Sequence, residues 1–375
     1  MKLIPTLLLG CLLLSPAYAA CQASNRGAAA VKKAALASDA NALAALMDTE
    51  KFQDRVLADL RLNTKFRNDV AKGLDAGMSK GFSSMLKTVS ASGMQLVDQK
   101  AAPGLVMLRM EGKTPGDGIN YLEFELDQSG CIVDWSQLMS GSRFSALIRQ
   151  VMASSIQDKT LLASLFGINE VDDALLSKFK SLVTAMQSRE LKKAVAMFDE
   201  LPPQLRNSFD FTIMRIGLLA QIDAQSPNYR KALEELARNH GGEARAQFML
   251  IDHYFLTKQY DKALAAIAAL QGKVGVDEEN ELLRGNILAE AGRGEEAVAA
   301  MRKVVALTPD RKQSYFFLLG AALVTQRYQD VVDTMDLINT RFQLSFPHKT
   351  LQADADYAGL LASQQYKAWR KKHPG

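Results

Sequence analysis

The sequence predicts an α+β N-terminal domain, helices plus a small antiparallel sheet, followed by an all-α array of stacked helical hairpins. The chain as a whole is mainly helical. Between about Ala244 and Phe342 it repeats itself: Tyr260-Asp261-Lys262-Ala263 recurs 34 residues later as Gly294-Glu295-Glu296-Ala297, and 34 later again as Tyr328-Gln329-Asp330-Val331. A fixed period in this range marks one supersecondary unit stacked on copies of itself, each burying its apolar face against the next. Between Gln95 and Trp135 the pattern is that of strands and tight turns instead. With 48% hydrophobic and 23% charged residues and only 10 prolines in 375, the composition is that of a folded chain, long enough for two domains. A formal net charge of +4 is too small to imply a nucleic-acid partner.

Residues 1–19 read as a signal peptide. Lys2 gives a positive start, Leu3 to Leu14 is apolar, Pro16 breaks the run, and Ala17-Tyr18-Ala19 is a small-x-small cleavage site. The run is too short for a permanent span and no later stretch approaches that length, so no transmembrane span is expected in the mature chain. Periplasmic or secreted location follows. The alternative is a lipoprotein anchored at Cys21. Tyr18-Ala19-Ala20-Cys21 resembles a lipidation signal except at Tyr18, where leucine is usual, and Leu8-Leu9-Gly10-Cys11 fits better but sits too early. If Cys21 carries no lipid, it and Cys131 are a pair that an oxidising compartment would bridge, should the fold bring them together. Otherwise Cys131 is a small buried hydrophobe in a strand. A lipid and a disulfide at Cys21 exclude each other.

The N-terminal domain is expected over residues 20–165. Asn25 to Asp48 is alanine-rich and helical, with a break at Ser38-Asp39. Leu57, Leu60, Leu62 and Phe66 suit a second helical stretch. Val70, Leu74, Met78 and Phe82 form one face of a helix running to about Ser90. Gly73, Gly77 and Gly81 stripe the neighbouring face. Each costs about 1 kcal/mol relative to alanine, so close packing of another element is expected there. Strands follow at Gln95–Lys100, Leu105–Glu111, Asn120–Leu126 and Cys131–Trp135, joined by turns at Thr114–Gly118 and Asp127–Gly130. Phe144, Leu147, Ile148 and Val151 begin another helix. Glu123 and Glu125 share a strand face and could form a paired-carboxylate site; the plainer reading is a solvated strand face.

The repeats are expected over residues 170–345. In Glu278 to Arg311, small residues at Gly285 and Ala297 let two helices of a hairpin approach closely, Gly292 permits the turn, and Pro309 ends the second helix. On these residues the segment resembles a tetratricopeptide repeat, which implies a tetratricopeptide-like superhelix. The preceding repeat starts near Ala244, with Leu250, Tyr254, Tyr260 and Ala263 in family positions. The following one starts near Lys312, with Tyr315, Leu318 and Tyr328, and Val331 where alanine is usual. Two looser hairpins come earlier, one with Ile216-Gly217, Tyr229 and Ala232, the other with Leu191, Ala194 and Phe198. Arg284 stands where leucine is preferred, leaving the register of its helix open by a residue.

The resemblance implies an inner face lined by Arg245, Phe248, Asp252, Glu279, Leu282, Asn286, Phe316 and Gly320. Family members that grip a C-terminal carboxylate use lysines and asparagines there, and only Asn286 fits. Aromatics stand there instead. The candidate protein-binding residues are Arg245, Phe248, Asp252, Phe255, Asn286, Phe316 and Phe317, suited to an amphipathic helix or extended peptide; the alternative is that such aromatics pack between helices. Residues 346–375 suit a capping helix, with Tyr357, Leu360, Leu361 and Tyr366 inward. Its basic end, Lys367 to His373, reads either as a solvated helix terminus or as a peripheral contact with anionic lipid, aided by Trp369.

Together these features imply a scaffold or adaptor of the bacterial envelope that binds a protein or peptide partner. The alternatives are an envelope enzyme with carboxylate chemistry in the N-terminal domain, or a lipid-anchored assembly factor. No nucleophile elbow, phosphate-cradling loop, zinc-type cluster or paired-cysteine motif occurs, so no catalytic residue, cofactor or metal is expected.

Overall fold

Five strands hydrogen-bond in chain order as an antiparallel meander: β1 (Gln95–Gln99), β2 (Leu105–Glu111), β3 (Asn120–Leu126), β4 (Ile132–Gln137) and β5 (Ser142–Arg143). The computed structural model describes Cys21 and residues 26–58, 64–91, 93–99, 101–112, 120–138, 141–155, 159–166 and 168–373. The leader, Leu60, Leu62 and the Thr114–Gly118 turn lie outside these residues. Register sets Val106 opposite Phe124 and Leu108 opposite Leu122, with Trp135 beyond Phe124. One sheet face is therefore a continuous apolar row, as period-two alternation requires. β5 adds a strand to the four that the sequence shows; two residues are too few for alternation to register.

Four helices precede the sheet and share a core with that face: α1 (Ala28–Leu36), α2 (Ala40–Ala45), α3 (Thr49–Val56) and α4 (Thr64–Ala91). The expected break is real. Ser38 takes a left-handed φ of 55°, and the Asp39 carboxylate accepts from the amides of Asn41 and Ala42, capping α2. Along α4, Leu74, Met78 and Phe82 are buried at their spacing of four. The Trp135 ring stacks on Phe144 at 3.7 Å and Phe82 at 4.4 Å, so Asp134-Trp135 anchors the core from inside the sheet. The glycine stripe behaves otherwise than expected. Among the described residues, a Cβ at Gly73 or Gly77 would meet nothing within 4 Å, and at Gly81 only Phe144 at 3.5 Å. The packing side of α4 is its apolar row, and the glycines flank it.

Cys21 and Cys131 are joined by a disulfide, both half-cystines buried. The Cys21 amide donates to the Met47 carbonyl at 3.1 Å, and Gly27 to the Gly130 carbonyl at 2.9 Å. Gly130 is needed here: its φ is +80°, and a Cβ would lie 2.8 Å from Gly27. Asp48 and Ile132 complete the corner, the Asp48 amide donating to the Ile132 carbonyl at 2.8 Å.

The sheet's core continues into the helices that follow, α5 (Phe144–Ser155), α6 (Lys159–Phe166), α7 (Asp173–Gln187), α8 (Leu191–Asp199), α9 (Pro203–Arg206) and α10 (Phe209–Asp223). Phe179, Leu182, Phe198 and Phe211 belong to the same buried cluster as Phe82 and Phe124. With α11 (Pro227–His240) and α12 (Ala244–Leu256), these elements make one compact unit reaching His253. The division of the chain thus falls within α12 and not where the sequence pattern changes at residues 165–170. Shared apolar burial joins what periodicity separates.

The second unit runs from Tyr254. It holds α13 (Tyr260–Val274), α14 (Glu278–Glu290), α15 (Gly294–Leu307), α16 (Lys312–Val324) and α17 (Tyr328–Phe342). Helix starts at Ala244, Glu278 and Lys312, and at Tyr260, Gly294 and Tyr328, keep the 34-residue period and close the register left open by Arg284. A Cβ at Gly285 would lie 3.3 Å from the Ala300 Cβ and closer still to Met301, so α14 and α15 approach as the small residues predict. After α17 come α18 (His348–Gln352), a 3-10 turn (Ala355–Tyr357), α19 (Ala358–Ala362) and α20 (Gln364–Lys372). Leu351, Leu360 and Tyr366 join the core of α16 and α17, so this end covers the last hairpin.

Candidate interaction surface

Three successive hairpins turn in one way. Lys258, Gly292 and Gln326 have left-handed φ values of 58°, 71° and 55°. Each is followed by a cap residue whose side chain bonds to the residue three further on: Gln259 accepts from Lys262 at 2.8 Å, and Arg293 and Arg327 donate to Glu296 and Asp330. The turn between α7 and α8 repeats the device, with Arg189 at φ 58° and Lys193 paired with Glu190 at 2.8 Å. Only Gly292 betrays the conformation in the sequence. The Arg293 hydrogen bond holds the Glu296 carboxyl below its ordinary value.

These turns set the first helix of each hairpin, and so its inner positions. α14 and α16 touch. On α16, Phe316, Gly320 and Val324 follow at spacings of four, Phe316 exposed to 38% and Val324 to 68%. Gly320 is exposed, and a Cβ there would meet no described atom within 4 Å. The equivalent α14 positions are Leu282, buried, and Asn286 and Glu290, both exposed. An apolar strip on α16 bordered by an amide and a carboxylate is the result. Val324 belongs to it although sequence reasoning did not single it out; its spacing from Phe316 was the available signal.

The other candidates disperse. Phe317 is half-buried against the core of α16 and α17, and Phe255 packs beside Tyr260 with ring centroids 6.3 Å apart. Arg245, Phe248 and Asp252 lie in the first unit. Phe248 is buried, while Asp252 is exposed. The Arg245 guanidinium lies 4.1 Å over the Phe209 ring and 3.6 Å from Asp210. Of the seven, Phe316 and Asn286 share an accessible surface within one unit.

The carboxylates of the sheet are not a solvated face. Glu123 is buried, and Glu125 accepts from Arg55 of α3 and from Arg143 of β5, the latter at 2.8 Å. Beside them, Asp134 is fully buried and caps α5 from a distance. Its oxygens accept from the Ser145 amide at 3.2 Å and hydroxyl at 2.6 Å. Burial pushes the Asp134 carboxyl up, the Ser145 bonds pull it down, and the net shift is upward. Further along, Lys51 bridges Asp48 and Asp127. Burial pushes Asp127 up, but Lys51 and the amides of Cys131 and Ser129 outweigh it and hold the carboxyl low. These charges tie α3 and α5 to the sheet.

At the chain's end Trp369 is engaged. Its indole donates to Asp336 at 2.6 Å, and its ring stacks between Tyr366 at 5.7 Å and His373 at 4.5 Å. It therefore packs as part of the cap and is not presented to a lipid surface. Among the described residues no group of three or more His, Cys, Asp or Glu side chains is placed to hold a metal ion, and no helix is long and apolar enough to cross a membrane.

No family model matches the chain, and no curated protein matches it. Among solved structures it is similar to a chain described as MamA AMB-1 P212121, at 13% identity and a TM-score of 0.33, over 44% of this chain and 96% of that one. So slight a likeness bears on neither site nor activity.

Proposed function

We propose that the chain is an exported scaffold of the cell envelope that binds a protein partner on the inner helices of its repeats. The observation that carries this is the exposed Phe316–Gly320–Val324 strip on α16, beside Asn286 and Glu290 of α14. Covering what remains exposed of Phe316 and Val324 is worth about 0.5–2 kcal/mol each, and the open Gly320 between them admits a close-lying backbone. An amphipathic helix or extended segment of a partner has that form. Export is supported by the leader-like first 19 residues and by a disulfide suited to an oxidising compartment. The bonded Cys21 favours a soluble mature chain over one anchored by a lipid on that sulfur.

The test is capture of partners from envelope extract with the wild-type chain and with the double variant Phe316→Ser, Val324→Ser, folding being checked by circular dichroism. The reading expects specific proteins to be held by the wild type and lost with the variant. Equal retention by both chains would remove the strip as the binding surface.

A further inference from the structure

We infer that the exposed face of α20 is an electrostatic docking surface for anionic lipid headgroups. Over residues 254–373 the second unit carries sixteen Lys and Arg against fourteen Asp and Glu. Four of those cations, Lys367, Arg370, Lys371 and Lys372, stand on α20, which has no acidic residue; without them the unit is net acidic. Elsewhere in the unit the arginines are drawn into pairs, as Arg284 is with Glu281, Arg302 with Asp330 and Arg341 with Asp310. Among the described residues no carboxylate lies within ion-pairing distance of the four on α20. A terminal cluster of uncompensated charge fits a surface of opposite charge, each lysine or arginine contributing separately.

The arrangement of the helix decides what kind of contact this is. Tyr366 is buried and Trp369 is tied to Asp336, so the apolar side of α20 is spent on the cap. Lys367 and Lys371, four apart and exposed, lie on the side left over. Binding is therefore peripheral and ionic, without insertion of the indole. Lys371 and Lys372 also complement the negative end of the helix, but Lys367 stands a turn earlier and gains nothing from it. The choice of lipid over nucleic acid rests on the export reading.

The test uses the mature chain sedimented with phosphatidylcholine vesicles, with vesicles also containing phosphatidylglycerol, and with a DNA duplex. Retention is expected on the anionic vesicles alone, reversed by high salt, with no blue shift of tryptophan emission. The variant Lys367→Gln, Lys371→Gln should bind about 30-fold more weakly at low salt. Equal retention on both vesicle types, an unaffected variant, or binding to DNA but not to vesicles overturns the assignment. N-terminal mass and cell fractionation report on export separately, so the two readings fail independently.

Discussion

Replacing Asp134 tests the electrostatics of the sheet most directly. Its carboxylate is buried and meets two donors of Ser145, the amide and the hydroxyl. Alanine removes both acceptors. Each buried donor left unsatisfied costs roughly 1–3 kcal/mol, so the two Ser145 donors alone, beside the Trp135 amide that the carboxylate also accepts at 2.9 Å, make Asp134→Ala lose about 2–6 kcal/mol at neutral pH. Asparagine keeps an acceptor for the amide, and its NH2 can donate to the Ser145 hydroxyl. It also removes a buried charge, and should cost under about 1 kcal/mol. The pH dependence has a definite sign. Because the folded carboxyl sits above its ordinary value, the stability it contributes is full below the unfolded value and lost as pH rises through the folded one. Wild type should therefore lose ground to Asp134→Asn as pH rises above the ordinary aspartate range. Urea titrations followed through Trp135 fluorescence in a Trp369→Phe background report on the unit that holds Asp134. Equal damage by alanine and asparagine, or a wild-type-to-asparagine difference that does not change with pH, would refute the reasoning.

Two further outcomes follow from the backbone. Reducing the Cys21–Cys131 bridge, which closes a separation of 110 residues, should lower the melting point of the first unit by roughly 4–16 °C, for a loss of about 2–4 kcal/mol; an unchanged melt at Trp135 would contradict a stabilising bridge. At Gly292, with φ +71°, lysine should cost about 1 kcal/mol, a strain that Lys258 already bears in the matching turn, and β-branched valine about 2 kcal/mol. Thermal melts at Trp369 compare the two, and equal losses would mean that the left-handed turn is not what glycine serves.

The fold was legible where one residue type does one physical job. Gly285 and Ala297 had to be small because α14 and α15 approach closely, and helix starts 34 apart followed from a stack that repeats its own contacts. The alternation around Phe124 marked a strand with one apolar face. Less was legible where packing between distant segments decides. Gly73 and Gly77 look like a contact stripe, yet nothing described packs on them, because a helix face is chosen by its largest apolar row. Glu123 alternates like a solvated residue and is buried. Trp369 looks like an interfacial anchor until Asp336 is seen to hold its indole. In each case the deciding partner lies far away in sequence.

The surface strip and the turns show two different limits. Phe316, Phe317, Phe255 and Phe248 are one residue type, and only their placement around each helix separates the exposed side chain from the packed ones. A register correct to the residue was needed, and Arg284 had left it open. The turns hide their regularity differently. What repeats is a left-handed residue, then a cap side chain bonded to the residue three further on, and its chemistry changes at each occurrence: Glu190 with Lys193, Gln259 with Lys262, Arg293 with Glu296, Arg327 with Asp330. Charge reverses between the first and the third while the geometry stays. A comparison by residue type scores these as unrelated. The backbone treats them as the same turn, which makes α7–α8 a member of the repeat series although it shares its core with the sheet.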